Sequence, residues 1–200
     1  MNIRPLSIAG AYEIVPVVHR DPRGLFLELY RHDRVAEAVG HPLRLAQANV
    51  SVSARGVVRG MHFASVPPGQ AKYVHCQRGA ILDVVADVRV GSPTFGRWEA
   101  VRLDDVDRRA LYVAEGLAHG ICALTDDATL EYLCSETYAP AREHTVHPLD
   151  PDLGIDWPVD EPRLSDRDAA APTLAEARAA GLLPDHPACL AFYASLRQEG

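Results

Sequence analysis

Long basic runs, long apolar runs, paired cysteines and glycine-rich phosphate loops are all missing from this 200-residue chain, and each absence removes a class of function. No Lys/Arg cluster exceeds two residues, and the formal net charge is -7 with a pI near 5.7, so nucleic acid and acidic membrane surfaces are poor partners. An anionic ligand would need a local basic pocket rather than a basic protein. No apolar run approaches the roughly 20 residues of a membrane helix. The four cysteines, Cys76, Cys122, Cys134 and Cys189, stand singly without C-x-x-C spacing. They are expected to be buried free thiols in a reducing cytosol, which makes the expected location cytoplasmic. There is no Gly-x-Ser-x-Gly nucleophile turn and neither common glycine-rich nucleotide loop.

What is present is ordinary globular composition, 48% hydrophobic and 24% charged, enough for one domain with a sizeable core. The chain reads as many short strands with turn signals about every ten residues. One or two strands lie between Ile3 and Val18, and Asp21-Pro-Arg-Gly24 is a turn. A strand over Leu25 to Tyr30 would share a face among Phe26, Glu28 and Tyr30, and a short helix follows from Arg31 to Gly40. Leu45 to Ser53 alternates, with Gln47, Asn49, Ser51 and Ser53 on one face that is either solvent-facing or a ligand wall; alternation by itself favours solvent. Strands are expected again at Lys72 to His75, Gly79 to Val90, Trp98 to Leu103, Ala110 to Val113, His119 to Ala123 and Thr129 to Tyr138. The Asp150 to Asp168 segment reads as an ordered loop. From Thr173 the pattern turns helical, with a Thr173/Glu176 capping pair and a stop at Gly181, and a second helix spans Pro187 to Gln198. The fold class is all-β, a sandwich or barrel with a C-terminal helical extension.

The stretch Arg55-Gly-Val-Val-Arg-Gly-Met-His62, followed by Lys72, concentrates the reactive side chains. Strict alternation puts Arg59 and His62 on opposite faces, although a bulge at Gly60 would let both serve one pocket. Proton abstraction beside a ketone needs a base titrating near neutrality and a cation for the developing enolate, and His62 and Lys72 are of those types. Inversion needs an acid on the opposite face, for which the Tyr132 phenol is a candidate. A metal site built from His62, His75 and His119 is the competing arrangement. Glu115-Gly-Leu-Ala-His119 approaches a metal-cupin spacing, but Ala64 stands where a second histidine belongs, so no metal is expected.

The sequence resembles the dTDP-4-dehydrorhamnose 3,5-epimerase family, in the subgroup of antibiotic deoxysugar pathways. The carriers are Asp21-x-Arg-Gly24, Gln47-x-Asn-x-Ser-x-Ser53, Gly56 to His62, Pro67-Pro-Gly-Gln-Ala-Lys72, Asp83 to Asp87, Gly91 to Gly96, Leu111 to Gly120, Tyr132 to Tyr138 and Leu164 to Asp168, in order. The resemblance implies a cupin-type jelly roll, a homodimer, a dTDP-sugar substrate and no cofactor. It implies catalytic roles for His62 as base, Tyr132 as acid, Lys72 as enolate stabiliser and Asp168 as orienter of the base. Arg59 would meet the diphosphate, Gln47 and Asn49 would line the nucleotide path, and Tyr138 would pack on the thymine. Arg23, Phe26 and Glu28 match a segment that meets the nucleotide from the partner subunit. His119 and Asp83 match polar positions inside the barrel. Glu143-His-Thr-Val-His147 departs from the Glu-Gly-Gly-Ile-x-Trp-Asn-Asp run of the rhamnose-pathway enzymes. The implied activity is epimerisation of dTDP-4-keto-6-deoxyglucose at carbon 3, with carbon 5 left open. A sugar-nucleotide keto-isomerase and a metal-dependent cupin are the alternatives.

Overall fold

The computed structural model describes residues 1–198. Its strands are β1 (Asn2–Pro5), β2 (Ala11–Val15), β3 (Val18–Asp21), β4 (Gly24–Leu27), β5 (Gln47–Ser53), β6 (Val58–Ala64), β7 (Lys72–Arg78), β8 (Ala80–Ala86), β9 (Trp98–Asp104), β10 (Ala110–Val113), β11 (Ala118–Ala123), β12 (Ala128–Cys134) and β13 (Glu143–Thr145). The helices are α1 (His32–Val39), α2 (Asp166–Ala169), α3 (Leu174–Ala179) and α4 (His186–Gln198). Two antiparallel sheets form the body. One runs β1-β2-β10-β7-β12-β5 and the other β13-β6-β11-β8-β9, while β3 and β4 stand apart as a two-stranded ribbon. No described helix is long and apolar enough to cross a membrane.

Alternation decides what each sheet turns inward. Val74, Cys76, Leu111 and Leu130 of the first sheet share a core with Ile81, Val85, Leu103 and Ile121 of the second. The opposite face of the second sheet, with Val58, Met61, Phe63, Val84 and Cys122, is covered by Leu153, Trp157, Leu174 and Ala177. So the C-terminal extension does cover a sheet. Helix α3 starts on a full Thr173/Glu176 capping box and lays Leu174 and Ala177 inward. Helix α4 docks Cys189 and Tyr193, with the Tyr193 hydroxyl donating to the Glu115 carbonyl. All four cysteines are buried free thiols.

Several elements differ from the sequence reading. The strand expected to run to Tyr30 ends at Leu27, because the β3/β4 ribbon pairs only as far as Leu27 opposite Val18. Tyr30 then leaves that face to stack edge-on against Tyr73, 5.2 Å between centroids. The last strand expected over Thr129 to Tyr138 stops at Cys134. The segment 150–168, expected to be loop throughout, ends in the one-turn helix α2, and β13 was not foreseen. The polar face of β5 points inward: Gln47, Asn49 and Ser51 are half-buried and Ser53 buried, while Ala48, Val50 and Val52 are exposed. Solvent, the choice favoured by alternation alone, is therefore wrong for this strand. Pairing of Asn49 with Tyr132 in register, on the last strand of the sheet, forces the polar set toward the second sheet.

Candidate active site

The β6 strand brings the basic and titratable groups together by breaking its own alternation. Ile121 of β11 pairs with Arg59 and His119 pairs with His62, so two steps along β11 face three along β6. That extra residue returns Arg59 and His62 to the same, inward face. Glycine is required at the break: Gly60 has φ +134, and a Cβ there would lie 2.6 Å from the Gly120 Cα and 2.9 Å from the His119 carbonyl oxygen. Met61 meanwhile faces the outer core.

His62 Nε2 lies 2.7 Å from Asp168 Oδ1, and the Asp168 side chain is 4% exposed against 32% for His62. Asp168 sits in α2, capped by Ser165, whose Oγ accepts from the Asp168 backbone N–H at 3.1 Å. Burial opposes the Asp168 charge, yet hydrogen bonds from His62, Ser165 and the Gly60 N–H hold its carboxyl below the usual carboxylate range. With an anion fixed at Nε2, the imidazole keeps its proton there and leaves Nδ1 as the free lone pair. Burial pushes the His62 pKa down, with Asp168 pulling against it and the Lys72 ammonium adding to the depression. A neutral imidazole with an oriented lone pair is a general base.

Lys72 is the chain's only lysine. It opens β7 on the inner face, 8% exposed, with no hydrogen bond or ion pair among the described residues. Burial lowers its pKa, against the fields of Cys134, Glu143 and Asp83. An unpaired ammonium held in low dielectric suits a developing oxyanion. Tyr132 faces the same interior from β12, opposite Val74 and Asn49, and burial raises its pKa so that the phenol keeps its proton. The imidazole thus comes from one sheet, the phenol and the cation from the other. His119 and Asp83 form a buried pair beside them, His119 Nε2 lying 2.9 and 3.0 Å from the two Asp83 oxygens. Gln47 donates to Asn49 Oδ1 at 2.8 Å, and Asn49 to Cys134 Sγ at 3.7 Å.

Against known proteins, the family model described as dTDP-4-dehydrorhamnose 3,5-epimerase matches residues 5–176. The chain belongs to that family. A dTDP-4-dehydrorhamnose 3-epimerase of Streptomyces niveus is 65% identical, over 96% of this chain and 92% of the relative. The Mycobacterium tuberculosis rmlC epimerase superposes with a TM-score of 0.97 at 52% identity, covering 98% of this chain and all of that one. A 3'-monoepimerase from Streptomyces bikiniensis, solved in complex with dTDP-quinovose, matches with a TM-score of 0.95 at 56% identity over 97% and 98% of the two chains.

Within this epimerase-family fold the residues singled out from the sequence divide into three groups. His62, Lys72, Tyr132, Asp168, Arg59, Gln47, Asn49 and His119 gather around one interior. Tyr138 stands at its edge, 56% exposed, its backbone N–H donating to Gln47 Oε1 at 2.9 Å. Arg23, Phe26 and Glu28 lie apart on and after the exposed ribbon. There Arg23 pairs with Asp21, Phe26 lies against His19 and Glu28 pairs with Arg31. The three-histidine arrangement does not assemble, since His75 faces the other side of β7 beside Glu131, 3.7 Å away. No cluster of three or more His, Cys, Asp or Glu suited to a metal occurs among the described residues. Sequence reasoning missed Glu143, which pairs opposite Ala64 and so shares the His62 face, and whose charge reaches Lys72, Tyr132 and Cys134. The one signal was that Glu143 keeps the leading Glu of the run in the rhamnose-pathway enzymes, from which the residues after it depart.

Proposed function

We propose that this isomerase inverts carbon 3 of a dTDP-4-keto-6-deoxyglucose-type sugar nucleotide, with pocket shape deciding whether carbon 5 follows. One observation carries the reading: an Asp168-held imidazole, a protonated phenol and an unpaired ammonium converge on one interior from opposing sheets. His62 Nδ1 takes the proton from carbon 3, and the electron pair moves onto the carbonyl as an enolate facing the Lys72 ammonium. Tyr132 then delivers its phenolic proton to carbon 3 from the other face, the electrons return, and both side chains re-equilibrate with solvent. Each proton transfer contributes about 10² to 10⁴ in rate and the cation about 3 to 4 kcal/mol. The reading calls on no metal or cofactor, because base, acid and cation are side chains of this chain.

Arg59 meets the diphosphate, Gln47 and Asn49 line the nucleotide path and Tyr138 packs on the base. Arg23, Phe26 and Glu28 serve the site of a partner in a homodimer, which fits their separation from the interior of their own chain. The two antiparallel sheets support a cupin-type jelly roll; the reading takes the chain as a single domain with a helical extension from about residue 173, working in the cytoplasm. The test is solvent deuterium incorporation into dTDP-4-keto-6-deoxyglucose read by NMR. Label at carbon 3, with or without carbon 5, is the expected result. Label at neither carbon, or a 3-keto product, would overturn it. His62→Asn should abolish exchange at both carbons.

A further inference from the structure

Arg59 is an exposed residue, and an exposed arginine ordinarily samples many rotamers. Here one edge is tied. Arg59 Nε donates to Ser53 Oγ at 3.0 Å, and Ser53, the last residue of β5, is 4% exposed. β5 closes one sheet and β6 belongs to the other, so this bond crosses between the sheets. The two terminal nitrogens of Arg59 have no partner among the described residues. A guanidinium presents five N–H donors in a planar fork. Spending the Nε–H on a buried hydroxyl fixes the plane and leaves the four terminal N–H groups aimed as a pair, the geometry that grips two oxygens of a phosphate. The charge of Arg59 also acts on Tyr132, pulling its pKa down against the effect of burial.

We propose that Ser53 is a positioning residue, holding Arg59 by its Nε so that the terminal fork meets the diphosphate of the sugar nucleotide. The proposal rests on the reading of Arg59 as the diphosphate contact. A serine that merely ties the sheets together would act on stability and would not distinguish nucleotides by their phosphates.

Calorimetric titration of the full-length protein with dTDP separates the cases, with thymidine titrated by NMR as the phosphate-free control. Ser53→Ala should weaken dTDP about 3- to 10-fold, the size of one typical net hydrogen bond. Thymidine affinity should stay the same, and with the keto-sugar substrate the change should fall on KM rather than kcat. Ser53→Thr, which keeps the hydroxyl, should restore dTDP binding. Arg59→Gln should weaken dTDP further, and adding Ser53→Ala to it should cost nothing more. Unchanged dTDP affinity in Ser53→Ala, where Arg59→Gln does weaken it, overturns the positioning role and leaves the Arg59 reading standing. An equal Ser53→Ala loss for thymidine, or an undiminished loss in the Arg59→Gln background, also overturns it. Arg59→Gln with full dTDP affinity defeats the underlying reading itself.

Discussion

His62 can take a proton in the proposed reaction only while its ring is neutral, and its pKa is held below 6.5 chiefly by burial. The acidic limb of kcat/KM for deuterium exchange should therefore have its midpoint below pH 6.5. Asp168 pulls the His62 pKa upward, so Asp168→Asn should move that limb to still lower pH while slowing exchange by about 10²-fold or more. A pH-rate series on the two proteins checks both the sign and the size; a limb that moves upward would contradict it. On the alkaline side Lys72 must stay charged, and its pKa is lowered from 10.5, whereas that of Tyr132 is raised above 10.0. Tyr132→Phe should accordingly keep the alkaline limb of exchange and lose inversion more than exchange, because His62 can return a proton to the face it came from. The identities of these groups were legible in the sequence because a base near neutrality, a phenol and a cation are properties of side chains. Glu143 was not, since a carboxylate in a loop-like segment has no periodic partner to place it.

At the scale of the element, the site depends on a strand that gains one residue against its neighbour. Gly60→Ala would push a Cβ to 2.6 Å from the Gly120 Cα, and it would also hold a side chain at φ +134. The expected cost is about 2 to 4 kcal/mol, combining left-handed strain with overpacking against backbone that cannot yield. Urea unfolding should show the loss, and the variant should fail at exchange because the registers of Arg59 and His62 depend on the same break. The bulge was readable as an option from Gly60, yet alternation alone left the two side chains on opposite faces. Only the pairing of β6 with β11 decides it. The same holds for β5. Its period was plain, but a period of two names two faces without saying which is inside.

For the whole molecule, the inward turn of the polar β5 residues leaves Val50 63% and Val52 57% exposed, with Phe26 of the ribbon at 66%. Apolar side chains alternating outward on the last strand of a sheet suit burial against a second copy. Light scattering at micromolar concentration should give twice the 21.8 kDa chain mass, and Val50→Glu with Val52→Glu should shift it toward the monomer. A second global property follows from Glu115, 3% exposed, with Oε2 lacking a partner among the described residues and its pKa pushed up by burial to about 7. Its usual value is 4.5, so the folded state holds this proton more tightly than the unfolded chain does. The stability it contributes is full below pH 4.5 and is lost as pH rises to about 7, a change of about 3 kcal/mol. Glu115→Gln should flatten that part of the stability profile measured by urea unfolding between pH 5 and pH 8.

The amino-acid order by itself determined the class of fold, the chemistry on offer and the family, because short alternating runs, turn residues and ordered motifs are local properties of a chain. It also singled out His62, Tyr132 and Lys72 as the candidates for base, acid and cation in the proposed reaction, the last being the only lysine present. Tertiary structure decided which face of β5 is inside, that Arg59 and His62 look the same way, that Asp168 returns from a distant one-turn helix to hold His62, and that His75 looks away. Those outcomes depend on register between strands far apart in sequence. Register is set by the neighbour a strand pairs with, so no single strand encodes it.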